Sequence, residues 1–90
     1  MPLVIIRHKV KDFASWKQAY DAHEGARVAG GVTKGRVTRS ADDPSEVVLV
    51  FEVADLAKAK AFCASDDLKK AMQGAGVVDK PDLYFLNEAG

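Results

Sequence analysis

The stretch Leu3 to Val10, LVIIRHKV, limits what this chain can fold into more than any other. Its consecutive apolar and β-branched residues favour a pleated strand over a helix. Side chains alternate across a strand, so Val4, Ile6, His8 and Val10 share one face while Leu3, Ile5, Arg7 and Lys9 share the other. A strand wet on one side alternates apolar with polar residues. This one asks for cover on both faces near its start: helices over one, and a second layer, such as a partner subunit, over the other. Glu46 to Val53, EVVLVFEV, has the same character, with Val47, Leu49, Phe51 and Val53 set against Val48 and Val50. Both stretches are expected at the centre of a sheet.

The remaining segments supply the cover and the edges. Asp12 is a helix cap, and the apolar spacing after it predicts one helix from Phe13 to about Ala29. Phe13, Trp16, Ala19, Tyr20, His23, Ala26 and Arg27 form its inner stripe, and Gly30-Gly31 ends it. Gly25 weakens the last turns by about 1 kcal/mol relative to alanine. Val32 to Arg39 reads as a strand, and its Lys34, Arg36 and Arg39 suit a sheet edge. Gly35 within it suggests a bulge, and Ser40 to Ser45 is a turn by composition. Asp55 caps a second helix along Leu56, Ala59 and Cys63, but the apolar phase jumps before Leu68, where Ser65 caps a new start. A broken helix over 56–64 and 66–73 follows, and Pro81 then opens a last strand, DLYFLN.

The order β-α-β-β-α-β with right-handed crossovers is the ferredoxin-like α+β arrangement, a four-stranded antiparallel sheet with both helical segments on one face. Residues 1–90 are expected to form one domain. The uncovered sheet face, expected to carry Val, Leu and Phe, is too large to leave wet. A two-fold homodimer through that face is the simplest solution, and a chain this small gains margin from a partner.

Thirteen basic and thirteen acidic side chains cancel. That balance argues against nucleic acid and anionic membranes as partners, since both call for a net basic face. The single Cys63 excludes an internal disulfide and suits a reducing compartment. No apolar run approaches the ~20 residues of a membrane span, so cytoplasm is the expected location.

Candidate chemistry gathers on the first helix. His23 and Arg27 occupy stripe positions where patterning alone would place Leu or Val. His23 could act as a general base near neutral pH and Arg27 could hold an oxyanion. Alternatively, the stripe simply widens toward solvent, with His23 at its border and Arg27 snorkelling. His8 shares the more apolar strand face and belongs either to a pocket with Trp16, Tyr20 and His23, or to a core or dimer contact. Trp16 and Tyr20, one helical turn apart, are core packing or an aromatic wall for a flat ligand. Cys63 lacks a basic neighbour and reads as an inert thiol. Two histidines without ligand spacing give no metal site.

Several segments together resemble the dimeric α/β-barrel proteins, in particular the antibiotic biosynthesis monooxygenase-like group. They are RHKVKDFASWKQAYDAH, RSADDPSEVVLVFEV, SDDLKKAMQGAGV and PDLYFLNEA, and they span nearly the whole chain. The resemblance implies a dimeric barrel and a small-molecule pocket. The group includes cofactor-free monooxygenases on polycyclic aromatic substrates, haem-degrading enzymes and polyketide cyclases. The haem-degrading set of Asn, Trp and His is incomplete here, because the only Asn, Asn87, lies at the far end of the chain. The expected activity is a cofactor-independent oxygenase acting on an aromatic or polyketide-like substrate, with His23 and Arg27 catalytic and His8, Trp16 and Tyr20 binding substrate. A cyclase-like acid–base enzyme and a non-catalytic binding dimer are the alternatives.

Overall fold

A computed structural model describes residues 1–89. In chain order the elements are β1 (Leu3–Lys9), α1 (Phe13–Ala22), α2 (Glu24–Ala29), β2 (Val32–Arg39), β3 (Glu46–Val53), α3 (Leu56–Cys63), α4 (Asp66–Gly74) and β4 (Asp82–Leu86). The strands form one antiparallel sheet in the order β2-β3-β1-β4. The two strands that are apolar on both faces therefore take the centre, as their patterning requires. The ferredoxin-like order expected from the sequence is the observed one.

Alternation decides which face the helices cover. Val4, Ile6 and His8 of β1 are buried, as are Val47, Leu49, Phe51 and Val53 of β3. These residues meet Trp16, Ala59, Cys63 and Leu68 from the helices in one core. Capping fixes where the helices begin. Asp12 accepts from the Ser15 N–H, Asp55 from the N–H groups of Ala57 and Lys58, and Ser65 from Leu68 N–H. The break before α4 thus falls where the change of phase predicts it.

The first helix differs from the expectation. In place of one helix to Ala29, the chain breaks at His23, whose backbone (φ −93°, ψ 5°) leaves the helical region. Its N–H is shared between the carbonyls of Ala19 and Tyr20. With Gly25 weakening the following turn, α2 restarts in a new phase. Ala26 is exposed although the continuous stripe would bury it, while Arg27 is buried as that stripe places it.

The bulge expected at Gly35 is present as a shift of the β2–β3 register between Thr33 and Arg36, with Lys34 at φ 50°. A Cβ at Gly35 would stand 2.6 Å from both the Phe51 ring and the Tyr20 hydroxyl. Glycine is what lets Tyr20 reach across the edge strand.

The other sheet face carries Ile5 opposite both Val50 and Tyr84, and Leu3 opposite Leu86. Val48 continues this apolar patch, in which Tyr84 is 50% and Leu86 40% exposed. The phenylalanines expected there are absent from it, since Phe51 and Phe85 both pack toward the helices. Beside the patch, Arg7 donates to Asp82 at 2.8 Å and also meets Glu46 and Asp79.

Candidate functional site

A cleft opens between the covered sheet face and the helices. Ile6, His8, Leu49 and Phe51 form its floor, α1 supplies Trp16, Ala19 and Tyr20 with His23 at its end, and α3–α4 close the far side with Phe62, Cys63, Leu68 and Met72. It encloses about 520 Å³ of empty space including its open mouth, of which the centre of a water molecule can reach about 50 Å³. The five residues singled out in the sequence, His8, Trp16, Tyr20, His23 and Arg27, all line it.

His8 is the most unusual of them. Its position in β1 has the parity of Val4 and Ile6, so the strand points it into the core, where it is 1% exposed. Neither ring nitrogen has a protein hydrogen-bond partner, although buried polar groups are nearly always paired. Its ring meets Trp16 edge-on at 5.6 Å. Burial pushes the His8 pKa below its ordinary value, Arg7 adds to the effect, and Asp79 opposes it. The shift favours the neutral imidazole, whose one donor and one acceptor are unpaired within the protein.

The aromatic wall follows from the helix period. Trp16 and Tyr20, one turn apart, stack at 5.0 Å between centroids, and Tyr20 stacks again on Phe51 at 6.4 Å. Burial raises the Tyr20 phenol pKa and keeps it protonated, with Arg27 working against that shift.

Arg27 is engaged within the fold. Its guanidinium lies 3.6 Å from the Tyr20 ring centroid, and Nη1 donates to the Tyr20 carbonyl at 2.6 Å. That carbonyl belongs to the last turn of α1, where it also accepts from the His23 N–H and where a cation is favourable. Arg27 lies in α2, on the far side of the break at His23, and reaches back to the end of α1. His23 is half-buried at the corner, with its ring 6.2 Å from that of Phe62.

Of the far wall, the sequence marks Cys63, Leu68 and Met72 as inward positions and gives no sign of Phe62. Met72 and Leu68 lie on the apolar stripe of α4, which is legible, but which cleft a stripe closes depends on how the helices dock. Cys63 lines the cleft as a buried thiol whose pKa burial raises. Among the described residues, no three His, Cys, Asp or Glu side chains gather closely enough to hold a metal ion, and no helix is long and apolar enough to cross a membrane.

The His8 environment gives a signed pH dependence. With the folded-state pKa below the ordinary 6.5, the unfolded chain binds a proton that the folded one refuses as pH falls through that value. Stability is full above this window and declines below it, by up to about 1.4 kcal/mol per pH unit. Denaturant titrations at pH 7.5 and 5.5 will show this loss in the native chain and a smaller one in His8→Leu. Equal losses would mean that His8 titrates normally.

No family model matches the chain, and comparison with curated proteins finds no match. Solved structures do match over nearly the full length. An antibiotic biosynthesis monooxygenase is 18% identical, with 100% of both chains covered and a TM-score of 0.73. A Bordetella bronchiseptica protein assigned to the same class is 15% identical, covering 98% of this chain and 96% of its own, with a TM-score of 0.81. SnoaB, a cofactor-independent oxygenase from Streptomyces nogalater, is 12% identical over 98% and 94% of the two chains, with a TM-score of 0.71. At these identities the shared property is the backbone arrangement. This chain has the fold of the antibiotic biosynthesis monooxygenase-like α/β proteins.

Proposed function

We propose that this chain is a small-molecule-binding protein whose cleft takes an electron-rich aromatic compound, and that it oxygenates that compound without a cofactor. The observation that carries the reading is His8: a buried, neutral imidazole without a protein partner, set against an aromatic wall. Similarity in fold to a cofactor-independent oxygenase supports the choice of chemistry. In such chemistry the substrate phenolate or enolate supplies the electrons for oxygen, while the protein contributes orientation, exclusion of water and a base. His8 would take the substrate proton. His23, at the corner of the cleft, would orient the substrate or relay that proton outward. Arg27, through the Tyr20 ring and carbonyl, would position the wall and place positive charge behind a developing oxyanion.

The active form in this reading is a homodimer through the apolar sheet face of Leu3, Ile5, Val48, Val50, Tyr84 and Leu86. A barrel closed by two sheets would cover a patch that is otherwise wet.

Oxygen uptake with an electron-rich single-ring phenol such as 4-methoxyphenol tests the activity. The native chain is expected to exceed the protein-free rate, and His8→Leu to lower kcat by about 10²–10⁴-fold, the usual contribution of a positioned base. His23→Ala should lower the rate less. Uptake no faster than the blank would leave a binding protein without catalysis. The small free space in the cleft, about 50 Å³, favours that second reading where the substrate is large.

A further inference from the structure

The ligand that fits this cleft can be narrowed by asking which polar groups the fold has left unused. At the cleft floor His8 is 1% exposed, and both of its ring nitrogens lack a protein partner. A neutral imidazole presents one N–H donor and one bare nitrogen acceptor. A hydroxyl can satisfy either nitrogen, because it both donates and accepts.

Charge narrows the choice further. The cation lining the cleft, Arg27, already stacks on Tyr20 and bonds its carbonyl. Arg27 has no carboxylate partner, but it is held at Tyr20 and is not among the charges that act on His8, so a carboxylate bonded to His8 loses its hydration without a cation beside it. A neutral group is therefore favoured over an anion at His8.

Size narrows it again. The space open to a water centre, about 50 Å³, is about a third of the roughly 150 Å³ that holds benzene in an engineered apolar cavity. One ring can enter if Met72 changes rotamer, since its unbranched side chain adapts at low cost. A fused tricycle would require α3 and α4 to move away from the sheet. The flat wall of Trp16 and Tyr20 suits an aromatic ring over an aliphatic one.

We infer that the cleft selects a neutral, single-ring aromatic molecule bearing a hydroxyl, a simple phenol by class, with that hydroxyl bonded to His8. This rests on reading the cleft as the ligand site.

NMR titration of the ¹⁵N-labelled full chain with phenol, toluene, benzoate and anthrone tests it. Phenol is expected to shift the amides of His8, Trp16 and Met72 and to bind about tenfold more tightly than toluene, as one added hydrogen bond would give. Benzoate and anthrone should bind more weakly than phenol. In His8→Leu the preference for phenol over toluene should vanish while toluene still binds. Should that variant not fold, the ring ¹⁵N signals of His8 in the native chain serve instead: they must move when phenol is added. Equal affinity for phenol and toluene, tighter binding of benzoate or anthrone than phenol, or unmoved His8 ring signals would overturn the inference and leave the cleft as a ligand site. No shift with any of the four compounds would overturn both.

Discussion

Trp16→Ala will cost about 3–5 kcal/mol of folding stability, the range for deleting a buried large aromatic side chain. Trp16 is 3% exposed and stands at the junction of three rings, edge-on to His8, tilted against Phe13 and stacked on Tyr20. Its removal leaves a void between α1 and the sheet that those rings cannot close, because Tyr20 is held by Arg27 and Phe51. Small domains have about 5–15 kcal/mol in total, so the loss brings the chain close to unfolding at ambient temperature. Urea titration followed by far-ultraviolet circular dichroism is the measurement, since Trp16 is the only tryptophan and its fluorescence goes with it. Trp16→Phe keeps a ring in the stack and should lose less than half as much. A loss below about 1 kcal/mol in the alanine variant would be that of a surface residue and would contradict this packing.

In the proposed homodimer, Ile5→Asp is expected to separate the two copies into monomers. Ile5 lies at the middle of the apolar sheet face, opposite Val50 on one side and Tyr84 on the other. In an isolated chain the new carboxylate reaches water, and the fold tolerates it. Between two sheets it would be buried without a counter-ion, a penalty of several kcal/mol, repeated in each subunit. Sedimentation equilibrium should give a dimer mass for the native chain at micromolar concentration and a monomer mass for the variant, with unchanged circular dichroism. A native chain that stays monomeric at ~100 μM, weaker than a standard-sized interface commonly gives, would remove the sheet face from the assembly.

The two predictions draw on features of unequal visibility in the sequence. The central strands were legible because parity is strict: every second residue of Val47–Val53 is apolar, as is every second residue of Val4–Val10 except His8, and one register satisfies both. The break before α4 was legible because the apolar phase jumps and Ser65 stands ready as a cap. The break at His23 was not, because the stripe's spacing continues through His23, Ala26 and Arg27 and only Gly25 hints at weakness. That miss hid the role of Arg27, whose partner is a backbone carbonyl on the other side of the break. The direction of His8 was open because either sheet face could have held the helices. Neighbouring residues of the same parity now place it inside. For Arg7 the sequence gives the strand face but no sign of its partners. Its carboxylate partners, Glu46, Asp79 and Asp82, come from distant segments that only sheet pairing unites.

Gly35 carries a consequence for how this chain can vary. It sits on the edge strand and is exposed to solvent, which would ordinarily mark a position open to any polar residue. Yet the volume a methyl group would need is already occupied, by the Phe51 ring and the Tyr20 hydroxyl. Accessibility and permissiveness therefore part company at this residue. A random library drawn over β2 would return diversity at Arg36 and Thr38 and an almost empty column at Gly35, a constraint imposed from the interior on a position that touches water.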